Sequence, residues 1–174
     1  MIVCAGDIEQ FSFATPIGVG LINSAINLTK ICLMTPPEFI LFVGTAGSYG
    51  NKEIFEIVHS QTASNIEHSF FTKSAYTPID NIISSEVSHE TIVNSSNYIT
   101  TSKEISKKYL DLNIELENME FYSVLSVARE FNIPVGGVFV VTNYCFEDAH
   151  KEFIKNQKEA MQKIEDYLRL KGVV

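Results

Sequence analysis

Two uninterrupted apolar runs constrain the fold of this chain more than any other feature of its sequence. The first, Phe39–Val43, is closed by the Gly-Thr-Ala-Gly segment 44–47, and the second, Val135–Thr142, ends at Asn143. Runs of this kind, without alternating polar residues, are typical of strands that are covered on both faces in a parallel sheet. They predict an α/β protein in which helices cross over between strands.

Helical periodicity surrounds both runs. Apolar residues recur at helical spacing over Val19–Met34, Glu120–Phe131 and Glu147–Leu170, and prolines follow the first two segments. The other predicted elements are a hairpin of two strands (Ile2–Ala5 and Gln10–Thr15), two further strands (Ile54–Gln61 and Asn97–Ser102) and a short helix or turn (Lys103–Leu110). The segment Thr62–Asn97 has no clear pattern. We expect a three-layer αβα architecture with a central mixed sheet.

Length and composition exclude several classes of protein. The 174 residues contain no repeat and no linker-like stretch, so we expect one domain over residues 1–174. The net charge of -8 argues against a nucleic-acid partner. Three distant cysteines predict reduced thiols, and four dispersed histidines predict no metal site. No apolar run is long enough to span a bilayer, so we expect no membrane partner and a cytoplasmic location.

Polar and small residues follow the two buried strands at the edge where ligands bind in open α/β sheets. Thr45, Ala46 and Gly47 come after the first strand, where small residues let backbone N–H groups face an anion or a hydroxyl; the alternative is a tight turn. Asn143 ends the second strand. Glu120 begins a helix, where a carboxylate is often only a cap. Together these residues predict a hydroxyl, a carboxylate and an amide around one rim.

Three segments resemble a known family in the same order along the chain. They are ATPIGVGLINSAINL (14–28), FVGTAGS (42–48) and NMEFYSVLSVAREFNIPV (118–135). They are similar to the strand-to-helix GxGxxNAA segment, the GSAG or GSCG turn and the MEA-helix of the purine nucleoside phosphorylase superfamily, which includes the methylthioadenosine and adenosylhomocysteine nucleosidases. The resemblance implies a nucleoside phosphorylase-like fold and a homo-oligomer.

The same resemblance implies roles for individual residues. Thr45, within the 44–47 segment, would contact the phosphate or water nucleophile, and Met119 with Glu120 would hold the ribose. Asn143 would contact the purine near N7, and an amide at this position favours a 6-oxopurine over an adenine. His68 lies in the segment from which family members reach the ribose 5′ region, although it also fits a surface histidine of a polar loop.

The function that this resemblance implies is that of a purine nucleoside phosphorylase, a pentosyltransferase of purine salvage. It would cleave a purine nucleoside with inorganic phosphate as co-substrate, without a cofactor, to free base and ribose 1-phosphate. Two alternatives stay open, a nucleosidase that uses water and a relative that binds nucleosides without catalysis.

Two departures from the family pattern keep these alternatives open. Residues 2–15 align best with the hairpin of the family's second strand. The first strand, with the Gly-rich or Glu-rich loop that supplies part of the phosphate site or the base that activates water, is therefore expected to be missing. Neither of the two arginines, Arg129 and Arg169, falls at a phosphate-binding position of the family.

Overall fold

The two apolar runs form neighbouring central strands of one mixed sheet. The computed structural model describes residues 1–85 and 91–174. Numbered in chain order, the strands of the described residues are β1 (Ile2–Cys4), β2 (Thr15–Pro16), β3 (Ile40–Ser48), β4 (Ile57–Ser60), β5 (Thr62–Ser64), β6 (Ile82–Ser84), β7 (Ile92–Ser95), β8 (Ile114–Asn118) and β9 (Val135–Tyr144). The helices are α1 (Leu21–Met34), α2 (His68–Phe71), α3 (Lys103–Leu110), α4 (Phe121–Glu130) and α5 (Ala149–Leu170).

Strand β3 organises the sheet because both of its edges are paired. On one edge it runs parallel to β9 along its whole length, and β4 continues the sheet beyond β9 in antiparallel orientation. On the other edge, β1 pairs in parallel with Leu41 and Phe42, and β8 pairs in antiparallel orientation with Gly47 and Ser48. The middle of that edge, between β1 and β8, is left without a strand, and the candidate site lies there.

Helices cover both faces of the sheet. On one face, Leu28 of α1 and Val124 of α4 pack with Phe42 of β3 and other buried residues of the sheet. On the other face, Ile164 of α5 packs with Val43 and its neighbours. Because successive residues of a strand point to opposite faces, the apolar runs can supply both clusters. The predicted three-layer architecture with a mixed sheet is confirmed.

The predicted N-terminal hairpin is wrong. Strands β1 and β2 are parallel, and Gly6 and Asp7, both with positive φ, begin the loop that separates them. Phe11 of this loop is 7% exposed and packs in the cluster under α5, so its apolar character reflects burial in the core rather than a strand. The predicted strand Ile54–Gln61 is shorter, since only β4 forms within it.

The predicted strand Asn97–Ser102 is also wrong. The backbone there is irregular, and its polar groups serve neighbouring elements instead of a strand ladder. The Asn97 side chain accepts a hydrogen bond from the Leu21 N–H at the start of α1, and the Thr100 N–H donates to the Glu117 carboxylate. The second contact satisfies a backbone N–H that a strand would otherwise pair.

Four strands were not predicted, and their polar content explains why. Strands β5, β6 and β7 lie in the segment that had no pattern, and β8 carries two glutamates and an asparagine. In β5 and β7 the buried polar side chains pair with each other: the Ser64 hydroxyl donates to the Asn94 side-chain oxygen at 2.9 Å. Among the described residues, no helix is both long and apolar enough to cross a membrane.

The glycine pair at the start of β9 provides a test of core packing. A Cβ on Gly137 would lie 2.6 Å from the ring of Phe139 and 2.7 Å from that of Phe121, and both rings are fully buried. We expect Gly137→Ala to lower the free energy of unfolding by about 1–3 kcal/mol, because neither ring can move away freely. The measurement is urea denaturation followed by circular dichroism.

The matched control is the neighbouring substitution Gly136→Ala. A Cβ there meets its nearest atom, in the side chain of Gln61, at 3.9 Å, which is an ordinary contact. We expect its free energy of unfolding to stay within about 1 kcal/mol of the wild type. Equal losses in the two variants would contradict the role assigned to the two phenylalanine rings.

Candidate active site

A cavity of about 240 Å³ opens where β1 and β8 diverge along β3. Its walls come from the loop after β1, the ends of β3, β8 and β9, the start of α4 and the beginning of α5. The residues that line it include the predicted site residues Thr45, Ala46, Gly47, Met119, Glu120 and Asn143, together with Glu9 and Glu117. Glu120 and Asn143, which lie 75 and 98 positions after Thr45 in sequence, thus face the same cavity as Thr45.

Thr45 is bound by a carboxylate that comes from the loop after β1. The Thr45 N–H donates to one oxygen of Glu9 at 3.1 Å, and the Thr45 hydroxyl donates to the other at 2.5 Å. The N–H is free to do so because neither β1 nor β8 pairs with β3 at this position. Burial raises the pKa of the Glu9 carboxyl, while the two hydrogen bonds from Thr45 oppose that rise.

Glu120 faces the cavity because another residue caps its helix. The Asn118 side-chain oxygen accepts hydrogen bonds from the N–H groups of Glu120 and Phe121 at the start of α4. The Glu120 carboxylate instead accepts hydrogen bonds from the N–H of Gly20, at 2.9 Å, and that of Met119. The alternative that Glu120 is only a helix cap is therefore wrong.

Burial gives Glu120 an unusual proton affinity. Its side chain is 5% exposed, and burial raises its pKa to about 7. The nearby charge of Glu9 adds to this effect, while the hydrogen bonds from Gly20 and Met119 oppose it. A carboxyl with such a pKa changes its charge near neutral pH, a property that clusters at functional sites.

Asn143 lies beside Gly47 at the carboxyl ends of β9 and β3. The register between these strands shifts after Ala46, so that Gly47 pairs with Asn143. Bulges of this kind re-aim side chains next to functional sites. The Asn143 side-chain oxygen accepts from the Thr142 hydroxyl, and one of its amide hydrogens donates to the Tyr144 carbonyl. Within residues 1–85 and 91–174 this amide donates no other hydrogen bond, so its second hydrogen can serve a ligand.

His68 is not among the residues that line the cavity. Its Nε2 lies 3.0 Å from the hydroxyl of Thr100, and its ring packs near Tyr109. Thr100 in turn binds Glu117, so His68 stands behind the cavity wall. Its contact with the ribose 5′ region stays a prediction.

The expectation that the family's first strand and loop are missing is wrong. Strand β1 is an integral strand beside β3, and the loop that follows it carries Glu9 to Thr45. The motif alignment failed because it assigned residues 2–15 to a hairpin. Glu9 was therefore missed as a candidate site residue, and Glu117 was missed as well. A glutamate shortly after Gly6, in the loop that follows β1, was the signal for Glu9, whereas nothing in the sequence marked Glu117.

The lining of the cavity is rich in acidic residues. Glu9, Glu117 and Glu120 all line it, and none of the described lining residues is Lys or Arg. Burial raises the pKa of Glu117 as well, against hydrogen bonds from Thr100 and Tyr49 that lower it. A phosphate dianion in this cavity would meet carboxylates without a compensating cation, which is unfavourable at low effective dielectric.

The fold and the cavity define an α/β protein with a candidate ligand site at the carboxyl ends of its central strands. Comparisons with known proteins show what this chain is similar to. The model of the phosphorylase superfamily matches residues 85–170, whereas no curated protein matches the chain. The family model and the shared fold described next confirm the resemblance to this superfamily that the sequence motifs predicted.

Solved structures with the same fold cover nearly the whole chain. The 5′-methylthioadenosine/S-adenosylhomocysteine nucleosidase of Helicobacter pylori is 16% identical, with a TM-score of 0.80 over 97% of this chain and 94% of its own. A futalosine hydrolase mutant of the same organism is 16% identical, with a TM-score of 0.80 over 97% of this chain and 95% of its own. A putative 5′-methylthioadenosine/S-adenosylhomocysteine nucleosidase from Francisella philomiragia is 13% identical, with a TM-score of 0.80 over 99% of this chain and 98% of its own. At these identities the likeness shows the fold alone.

The raised pKa of Glu120 predicts a pH-dependent stability. Between its ordinary value of 4.5 and about 7, the folded protein holds a proton that the unfolded chain has lost, so rising pH removes stability. The loss is on the order of 3 kcal/mol. In Glu120→Gln this contribution is absent. We expect the variant to be less stable than the wild type at pH 5, because its amide faces the donors of Asn118 and Met119.

The gap in unfolding free energy between wild type and Glu120→Gln should then shrink as the pH rises from 5 to 8. Urea denaturation of both proteins across this range measures it. The exposed Glu130, at the far end of the same helix, provides the control substitution Glu130→Gln. A gap between wild type and Glu120→Gln that does not change with pH would show that Glu120 ionises at its ordinary value.

Proposed function

We propose that this protein is a purine nucleosidase, which hydrolyses the N-glycosidic bond of a purine nucleoside with water. The observation that carries the proposal is the pair of hydrogen bonds that the N–H and the hydroxyl of Thr45 donate to the Glu9 carboxylate. Thr45 is the residue that the family resemblance places at the nucleophile. The fold neighbours reported above are named as nucleosidases or a hydrolase, which supports hydrolysis over phosphorolysis.

Water suits this cavity better than phosphate. A water molecule at Thr45 would find in Glu9 a base that accepts its proton, and the raised pKa of Glu9 brings it closer to the pH range in which general bases work best. Phosphate would need cations, and the described lining residues include no Lys or Arg. The originally predicted phosphorylase reaction is therefore the second candidate, and phosphate dependence is the measurement that separates the two.

Glu120 would hold the ribose and stabilise the charge that develops on it. Cleavage of a glycosidic bond passes through an oxocarbenium-like transition state with positive charge near C1′. The Glu120 carboxylate, fixed by Gly20 and Met119, is a preorganised acceptor for ribose hydroxyls, and its negative charge favours that transition state. Met119, which lines the cavity beside it, would pack against the sugar.

Asn143 would bind the departing base. Its second amide hydrogen can donate to N7 of the purine as negative charge develops there. In the complete reaction the water oxygen bonds to C1′, the bond from C1′ to the base breaks, and Glu9 takes the proton of the water. The base leaves with the electron pair and is protonated afterwards from solvent. The reaction needs no organic cofactor and no metal.

Substitution of the two acidic residues tests this assignment. We expect Glu9→Gln to lower kcat by about 10²–10⁴, since the amide cannot take a proton from water. Glu120→Gln should lower kcat by about 10²–10³, because the charge facing the ribose is lost. The measurement is chromatographic release of free base from inosine, guanosine, adenosine and methylthioadenosine in phosphate-free buffer.

The control for both variants is Glu130→Gln, whose side chain is exposed and outside the cavity, and which should keep wild-type turnover. Base release that requires phosphate would overturn the nucleosidase in favour of the phosphorylase. Absence of release with or without phosphate would leave a binding protein without catalysis. Undiminished turnover in folded Glu9→Gln would remove Glu9 from the mechanism.

We also propose a homo-oligomer in the cytoplasm. The assembly rests on the family resemblance. The location is supported by the three cysteines, all buried as free thiols in the structure.

A further inference from the structure

The side chain of Asn118 lies between the sheet and the carboxylate of Glu120. Asn118 ends β8, two residues before Glu120, and pairs with Ser95 of the neighbouring strand β7. It is 6% exposed and lines the cavity. A buried amide in such a place needs partners for its hydrogen-bonding groups, and these partners show what it does.

The partners of the Asn118 oxygen fix the orientation of the whole amide. The oxygen accepts hydrogen bonds from the Ser95 hydroxyl at 2.8 Å and from the N–H groups of Glu120 and Phe121 at 3.3 and 3.1 Å. Because backbone N–H groups can only donate, the atom that faces them is the oxygen and not the nitrogen. The amide nitrogen is therefore directed at the Glu120 side chain, where it donates to Oε2 at 3.1 Å.

This hydrogen bond completes the set of donors that hold the Glu120 carboxylate. Oε2 accepts from the Asn118 amide and from the Met119 N–H, which occupies both of its lone pairs. In the part of the chain that the structure describes, Oε1 accepts only from the Gly20 N–H. The carboxylate is thus held from two sides, and one acceptor site on Oε1 is left for a ribose hydroxyl.

We propose that Asn118 is a positioning residue, which holds the Glu120 carboxylate in one orientation and in its ionised form. The inference rests on the nucleosidase assignment, in which Glu120 acts on the ribose as an anion. Burial opposes the ionised form, and a hydrogen bond donated to a carboxylate favours it. A neutral amide does this without cancelling the negative charge that the transition state needs, as a lysine or arginine would.

The proposal predicts a change in pH dependence when the amide donor is removed. The pKa of Glu120 is about 7 with the donor in place, and loss of a hydrogen bond to the ionised form raises it further. Activity that needs ionised Glu120 then appears only at higher pH. The other titratable groups that line the cavity are Asp7 and Glu9 from the loop after β1, Glu117 on β8 and His150 on α5.

Two substitutions of Asn118 separate its contact with Glu120 from its contacts with α4. Asn118→Asp keeps an oxygen for the N–H groups of α4, since Asp and Asn serve equally well at helix starts, and replaces the donor beside Glu120 by an acceptor. Asn118→Ser also keeps an oxygen for the helix and removes the donor without adding a charge. The control is Asn132→Asp, the same chemical change at an exposed residue just beyond the other end of α4.

The experiment measures kcat/KM in phosphate-free buffer between about pH 5 and about pH 9, with the nucleoside that the wild type cleaves best. We expect Asn118→Asp to move the acid limb of the profile up by at least about one pH unit, and Asn118→Ser to move it by less. At about pH 7 the Asn118→Asp value should fall about tenfold or more, because one pKa unit is a tenfold change in the ionised fraction. The profile of Asn132→Asp should coincide with that of the wild type.

A merely structural role would lower kcat/KM by the same factor at every pH. That result in both Asn118 variants, or profiles that coincide with the wild type, would overturn the positioning role, while phosphate-free base release upholds the nucleosidase. If Asn118→Asp does not fold, Asn118→Ser decides the question.

If the wild type cleaves no nucleoside, the proposed function fails instead, and an NMR titration of the Glu120 carboxyl tests the role of Asn118 without catalysis. We expect the pKa of Glu120 to be higher in Asn118→Asp than in the wild type. Equal pKa values in the two proteins would overturn the proposal.

Discussion

The parallel pairing of β3 with β9 is the interaction on which the rest of the structure depends. It is continuous from Ile40 to Ser48, apart from one register shift, and most of its side chains are buried on both faces. Helices on either side cover the two apolar faces, so the pairing sets the layer order. Because parallel strands end at the same edge, it also brings Thr45, Gly47 and Asn143 to one cavity.

The open edge of β3 gives this cavity its chemistry. Since β1 and β8 pair with opposite ends of the strand, its middle backbone is free to bind Glu9, and β8 delivers Glu117 beside Gly47. The buried carboxyls of Glu117 and Glu120 and the half-buried carboxyl of Glu9 oppose stability, because burial disfavours their ionised forms. That cost is of the kind that proteins accept at functional sites, where a charge must face a reacting centre without full hydration.

Predictions from the sequence succeeded where a single interaction dominates. The two long apolar strands and the amphipathic helix α5 could be predicted from burial alone. Glu120 and Asn143 could be placed because Glu120 stands at the start of α4 and Asn143 stands near the end of β9. Predictions failed where polar residues form strands. Asn94 and Ser64 satisfy each other across β5 and β7, a pairing invisible to hydropathy. The N-terminal hairpin failed because Phe11, buried in the core, has the same pattern as a strand residue.

The sequence by itself determined the α/β class, the helices α1, α4 and α5, the two central strands and the resemblance to the superfamily, because burial periodicity and local motifs are written in neighbouring residues. Only the tertiary structure decided which acids meet in the site. Glu9 reaches Thr45 across 36 residues, and Glu117 comes level with Asn143 through the register of three strands. These contacts depend on strand order and register, which arise from long-range packing rather than from the residues that neighbour each acid in sequence.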